Sequence, residues 1–228
     1  MKITVMTAAL LAVFAAAAAA AEPRIARENI EWCDVWITAG DGHSPRPRVL
    51  LVGDSITRSY SAEVGNLLKD KADVSRLATS KCLCDPVLAE ELALVLKQYT
   101  FDVVHFNNGL HGWDYTEAEY AAAFPAFVET IRKLAPGAKL IWTTTTPMRE
   151  AGNLQAVSPR TDRVKARNKI AKETVERQSL PTDDLFTLVD KHPEYYSNDG
   201  THLNPSGVKL AAAQVAQSIL GVLPKEPK

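Results

Sequence analysis

From Arg48 onward the chain alternates short apolar runs with stretches of helical period, and this alternation limits the fold more than any other feature. Val49-Leu50-Leu51-Val52 is a continuous apolar run closed by Gly53, the pattern of a strand covered on both faces. Residues 59–71 follow, with Val64, Leu67 and Leu68 at helical spacing, and residues 73–78 predict a weaker second strand. Asp85-Pro86 opens a helix reaching Gln98, with aspartate as cap and proline in the first turn. Residues 102–106 predict a third strand. Thr116 and Glu119 form a capping box for a helix running to Leu134, with Pro125 inside it and Pro136-Gly137 beyond it. Residues 140–145 are β-branched and aromatic enough for a fourth strand. A helix over 162–178, a short strand or extended segment over 184–189, and a last helix over 205–220 complete the pattern. Strand–helix repetition of this kind predicts a parallel sheet with helices on both faces.

Composition limits the partners. Lys and Arg number 26 against 27 Asp and Glu, a formal charge of −1, which argues against a nucleic-acid binder with its basic stripe. Residues 1–21 carry Lys2 and then an almost wholly apolar, alanine-rich run. With small residues before Glu22, this reads as a cleavable export signal, the alternative being a retained anchor. The expected location is therefore secreted or periplasmic, with no stable membrane insertion after cleavage. Residues 22–47, holding Trp32, Cys33, Val35, Trp36 and Ile37, predict an N-terminal arm packed on the core, with an edge strand as one form open to it. Residues 48–223 predict one domain and 224–228 a frayed tail. Cys33, Cys82 and Cys84 leave two readings open: Cys33 bridged to one of the other two, or three free thiols. Nothing in the sequence sets the oligomeric state.

In a parallel sheet of this class, sites form outside the carboxyl ends of the strands. Four segments occupy such positions: Gly53-Asp54-Ser55, Asn107 to Gly112, Pro147-Met148-Arg149, and Asp199-Gly200-Thr201-His202. Ser55 stands where a strand turns into a helix, which pushes its hydroxyl toward solvent, and Gly53 permits the turn. A serine hydroxyl needs an adjacent base to attack at neutral pH. His202 can be that base, and Asp199, three residues earlier, can orient its imidazole. A tetrahedral oxyanion needs donors, and the Ser55 N–H and the Asn107 amide are candidates. Each fragment has a plain alternative: a helix cap, a turn, a structural histidine. Their joint placement favours the catalytic reading.

These residues also carry a resemblance. Gly53-Asp54-Ser55-Ile56-Thr57, Phe106-Asn107-Asn108-Gly109-Leu110 and Asp199-Gly200-Thr201-His202 resemble the first, third and fifth blocks of the SGNH (GDSL-type) hydrolase superfamily. The resemblance covers about residues 48–220. It implies a three-layer α/β/α sandwich on a five-stranded, flavodoxin-like parallel sheet, and hydrolysis of esters, often of acetyl or longer acyl groups on sugars and lipids. It implies no cofactor and no metal. Two departures stand out. The second block, Ala78-Thr79-Ser80-Lys81-Cys82, lacks the glycine whose N–H joins the oxyanion hole, so the N–H of Lys81 or Ser80 is expected to replace it. Asn108 stands where aspartate is usual.

Around the expected rim, His105, His111, Trp113, Tyr115 and Arg149 are candidates for substrate contact: Trp113 and Tyr115 for stacking on a sugar, Arg149 for binding a carboxylate such as a uronate. The expectation is an exported serine esterase acting on a small-molecule or polysaccharide ester, by preference a carbohydrate acetyl group. The alternatives are a lipid or thioester esterase, a non-catalytic glycan-binding relative with an impaired oxyanion hole, and a metal-dependent hydrolase using His105, His111, His202 and Asp199.

Overall fold

The structure, a computed structural model, describes residues 24–223; the export signal and the tail expected at the ends lie outside them. Eight strands and six α-helices follow the order β1 (Cys33–Trp36), β2 (Arg48–Gly53), α1 (Ser55–Leu67), β3 (Asp73–Thr79), α2 (Val87–Leu96), β4 (Val103–Phe106), α3 (Glu117–Leu134), β5 (Lys139–Thr143), β6 (Arg149–Glu150), β7 (Asn153–Val157), α4 (Arg160–Arg177), β8 (Thr182–Asp183), α5 (Leu185–Asp190) and α6 (Pro205–Val222). The main sheet runs β1-β3-β2-β4-β5-β8. Its last five strands pair in parallel, and β1 of the arm joins β3 antiparallel, as an edge strand.

The period of two in each strand divides the core. Leu50, Val52, Val104, Phe106 and Trp142 face α2, α3 and α4, whereas Val49, Leu51, Val103 and Ile141 face α1, α5 and α6. The result is the three-layer α/β/α sandwich.

Several boundaries differ from the sequence reading, for local reasons. Helix α1 begins at Ser55 rather than four residues later, because the buried Asp54 side chain accepts the Ile56 N–H at 2.9 Å and caps the helix there. Gly53 is required by space rather than by turn geometry: a Cβ there would lie 2.1 Å from Thr57 Oγ1. The segment expected to be extended over 184–189 is the short helix α5. Asp184 caps it, accepting from the Thr187 N–H and hydroxyl at 3.1 and 2.6 Å, and Leu185 and Val189 are buried on one face. The strand itself is the two-residue β8. It is held to the sheet by side chains as well: buried Asp183 meets His105 Nε2 at 2.9 Å and accepts from Gln214 Nε2 at 2.7 Å. The capping box of α3 forms as expected, and Pro125 lies inside that helix. The three cysteines are free thiols; Cys82 and Cys84 lie in the turn after β3, not in a strand.

The connection between β4 and α3 is organised by one side chain. Arg167, fully buried on α4, donates to the carbonyls of Gly109, His111 and Gly112 at 3.0, 2.7 and 2.8 Å, and to Tyr115 at 3.5 Å. Its charge is balanced by Glu117, whose carboxylate lies 3.6 Å from Nε and also accepts from Arg163 at 2.6 Å. Burial works against the ionisation of Glu117, but the contacts from Arg163 outweigh it and hold its carboxyl below the usual range.

Substituting Arg167→Met keeps much of the volume and orphans these carbonyls. The expected cost is about 3 kcal/mol or more in urea denaturation, with faster amide exchange across residues 109–115. A loss under about 1 kcal/mol would remove Arg167 from this role.

Candidate active site

The parallel register brings the candidate segments to one rim. Gly53 pairs with Ala78, Val52 with Phe106, and Phe106 with Trp142, so β3, β2, β4 and β5 end at the same level. Ser55, the first residue of α1, is half-buried at that rim. Its Oγ lies 2.9 Å from His202 Nε2, and His202 Nδ1 lies 2.8 Å from Asp199 Oδ2. The other Asp199 oxygen accepts the N–H groups of Thr201 and His202 at 2.8 and 2.9 Å. Burial opposes ionisation of Asp199, but the His202 ring and these two N–H donors prevail and hold its carboxyl below the usual range.

The loop carrying Asp199 and His202 is fixed from outside the sheet. The hairpin β6–β7 lies against it, with Arg149 N–H donating to Gly200 O at 2.7 Å and Gly152 N–H to Asn198 O at 2.9 Å. Gly200 has φ +72°, and a Cβ there would meet the Arg149 carbonyl at 2.2 Å, so both conformation and space demand glycine.

One of the expected oxyanion donors is otherwise engaged. The Ser55 N–H, in the first turn of α1, has no partner among the described residues. Asn107 is buried at the end of β4, where its Nδ2 donates to the Thr143 carbonyl at 2.7 Å and to Thr145 Oγ1 at 3.0 Å. Ser80 and Lys81 do not present free N–H groups. The arm extends its pairing past β3, so the Ser80 N–H donates to the Trp32 carbonyl at 3.0 Å. The Lys81 N–H donates to Thr79 Oγ1 at 3.0 Å, closing a turn. Lys81 Nζ is held between Glu31 and Asp85. Asn108 ties the loops after β3 and β4 together, for its Oδ1 accepts the Leu83 N–H at 3.0 Å and its Nδ2 donates to Lys81 O at 2.8 Å.

The expected substrate-binding residues are placed unevenly. Arg149 is buried, donates to the Asp190 carbonyl and lies over the Tyr196 ring at 5.7 Å, so its guanidinium braces the interior instead of offering a carboxylate site. Trp113 is half-buried and framed by Arg160, Arg163 and Arg167 at 5.0–5.5 Å from its ring centroid. Tyr115 is buried, its hydroxyl accepting the Ala26 N–H at 2.8 Å. His111 is part-buried, with Nδ1 2.9 Å from Glu28, and its ring meets Trp32 edge-on at 6.1 Å. The arm thus supplies Glu28 and Trp32 to the rim, a contribution the sequence reading missed. The histidines proposed as a metal set are dispersed: His105 faces Asp183, His111 faces Glu28 and His202 faces Asp199. Among the described residues no three His, Cys, Asp or Glu side chains group to hold an ion, and no helix is long and apolar enough to cross a membrane.

Comparisons with known proteins bear on the family and the fold. No curated protein matches the chain. Among solved structures it is similar to a lipase/acylhydrolase from Enterococcus faecalis, with a TM-score of 0.63 and 22% identity over 80% of this chain and 100% of that one. It is also similar to an acetylxylan esterase from Geobacillus stearothermophilus (TM-score 0.61, 19% identity, 76% and 94% covered). A second acetyl xylan esterase gives a TM-score of 0.60 at 18% identity, over 77% and 100% of the two chains. At these identities the likeness is one of fold. The sequence profile of the GDSL-like lipase/acylhydrolase family matches residues 51–210, from β2 into α6, and spans Ser55, Asn107, Asp199 and His202. With well over half of its length matched, the chain belongs to the GDSL-like lipase/acylhydrolase family.

Proposed function

We propose that this acylhydrolase is a serine esterase that releases an acyl group, by preference acetyl, from a carbohydrate, and that it works outside the cytoplasm. The observation that carries the reading is the continuous line of hydrogen bonds from Ser55 Oγ through His202 to Asp199. The apolar start of the chain supports export, and the fold likeness to two acetylxylan esterases is compatible with a carbohydrate ester.

In the proposed reaction Ser55 Oγ attacks the acyl carbonyl while His202 Nε2 takes its proton. Asp199 keeps the imidazole oriented and stabilises its protonated form. The tetrahedral oxyanion receives the Ser55 N–H and one Asn107 N–H. The bond from Asn107 to Thr143 stays, while the oxyanion takes the place of Thr145 Oγ1, a weaker acceptor than a full negative charge. His202 then gives its proton to the leaving alcohol, and an acyl-serine remains. Water, deprotonated by His202, attacks that ester and frees the acid and Ser55.

With 4-nitrophenyl acetate, Ser55→Ala is expected to lower kcat/KM by about a thousandfold or more and to abolish labelling by a fluorophosphonate probe. Equal rates in the variant and the wild type would refute the nucleophile; sugar binding without hydrolysis or labelling would favour the glycan-binding alternative. Asn107→Ala is expected to lower kcat by about 10²–10³-fold with KM little changed.

The depressed pKa of Asp199 fixes the sign of a pH effect. Its contribution to stability is complete above the unfolded value of 3.8 and is lost as pH falls through the lower folded value. The thermal midpoint of Asp199→Asn is therefore expected to lie below that of the wild type at neutral pH, the gap closing as pH falls below 3.8. A gap that persisted unchanged at low pH would contradict the assignment.

A further inference from the structure

One cation beside the nucleophile has no anion of its own among the described residues. Arg58 lies three residues after Ser55 in α1, and side chains at that spacing share a helix face with Cβ atoms about 5–6 Å apart. It is exposed, and its guanidinium makes no ion pair or hydrogen bond among the described residues. Nor is it loose: it is stacked on the Trp32 ring at 4.7 Å from the centroid. A guanidinium held by its face keeps its N–H edge free for a planar, bidentate acceptor.

Trp32 is itself anchored. Its N–H donates to Ser80 Oγ at 2.9 Å and its carbonyl accepts the Ser80 N–H at 3.0 Å, which pins the backbone beside the loop after β3. Its ring meets His111, which belongs to the loop after β4. The carboxylate in this group is already engaged: Glu28 contacts His111 and accepts the Gly112 N–H at 3.1 Å. The arm, α1 and two rim loops thus converge on one positive charge, unpaired among the described residues, about one helical turn from Ser55.

We infer that Arg58, set by Trp32, is a specificity-determining residue that binds a carboxylate on the substrate, so that the preferred esters are acidic ones, such as O-acylated uronic acids. This rests on the esterase reading above and narrows its substrate class. Two sources share this chemistry, a carboxylate on the alcohol side and one on the acyl side. A neutral ester would leave the guanidinium edge to water, and an acidic one would gain a charge-assisted pair close to the reacting bond.

The test compares two pairs of esters. The first pair is an O-acetylated methyl galacturonoside against the corresponding O-acetylated methyl galactoside. The second is 4-nitrophenyl hemisuccinate against 4-nitrophenyl butyrate. The wild type is expected to prefer the charged member of one pair by tenfold or more in kcat/KM, and more strongly at low salt. The pair that responds shows which side of the ester carries the acid. Arg58→Gln should reduce that preference to within twofold, Arg58→Lys should keep part of it, and Lys97→Gln, which removes an exposed charge at the end of α2, should keep all of it. If Arg58 only clamps the arm, its loss lowers both members of a pair equally, and the inference fails. It fails also if the wild type shows no preference in either pair. Fluorophosphonate labelling separates the two levels. Labelled Ser55 without a charge preference leaves the esterase standing alone, whereas absence of labelling removes both.

Discussion

Strands paired in parallel and in register finish at a common level, and whatever follows them is delivered to one side of the sheet. In this protein β2 lies between β3 and β4, and the two crossovers around it pack on opposite faces, α1 from β2 to β3 on one and α2 from β3 to β4 on the other. The crevice between the end of β2 and the end of β4 is the place where those crossovers part. Ser55 and Asn107 owe their proximity to it, although 52 positions separate them. A slip of one residue in the pairing of Val52 with Phe106 would exchange the two faces of β2 and take the hydroxyl away from the histidine. The triad depends on this register before it depends on any property of its own three residues.

Above the sheet, buried polar groups do the positioning. Asn108 joins the loop after β3 to the loop after β4, and Tyr120 donates its hydroxyl to the Asn108 carbonyl at 2.6 Å. Arg167 collects the carbonyls of residues 109–115, and Gly200 lets the hairpin β6–β7 close on the loop of Asp199 and His202. Polar groups in such surroundings hold each other in one arrangement, because an unpaired one is costly. That stiffness suits a site whose donors must already point at the place where charge will develop.

Much of this was legible in the residues. The strand–helix alternation, the capping box of α3 and the serine, aspartate and histidine rest on local pattern, and local pattern survives in sequence. Helix α5 did not, because six residues are too few to establish a period and its start depends on the side chain of Asp184. The engagement of the third expected oxyanion donor was hidden for a different reason. Whether the N–H groups of Ser80 and Lys81 are free depends on Trp32 and on the Thr79 hydroxyl, and hydrogen-bond occupancy leaves no trace in spacing. Arg149 was misread because its neighbours, Asp190 and Tyr196, are 41 and 47 positions away. Arg167 did leave a signal. It falls between Val164 and Ala171 on the buried stripe of α4, and a charge on an apolar stripe asks for buried partners.

Those partners have a bearing on the order of events as the chain acquires its structure. The acceptors of Arg167 lie 52 to 58 positions before it, and β5 and the hairpin β6–β7 come in between. Residues 109–115 therefore cannot settle when β4 joins the sheet; they must wait until α4 has been made and docked. Contacts of such long separation form late, since the loop they close must be ordered first. The rim that carries Ser55 is then among the last parts of the protein to assemble, and a chain interrupted before α4 would hold Ser55 without the wall that faces it.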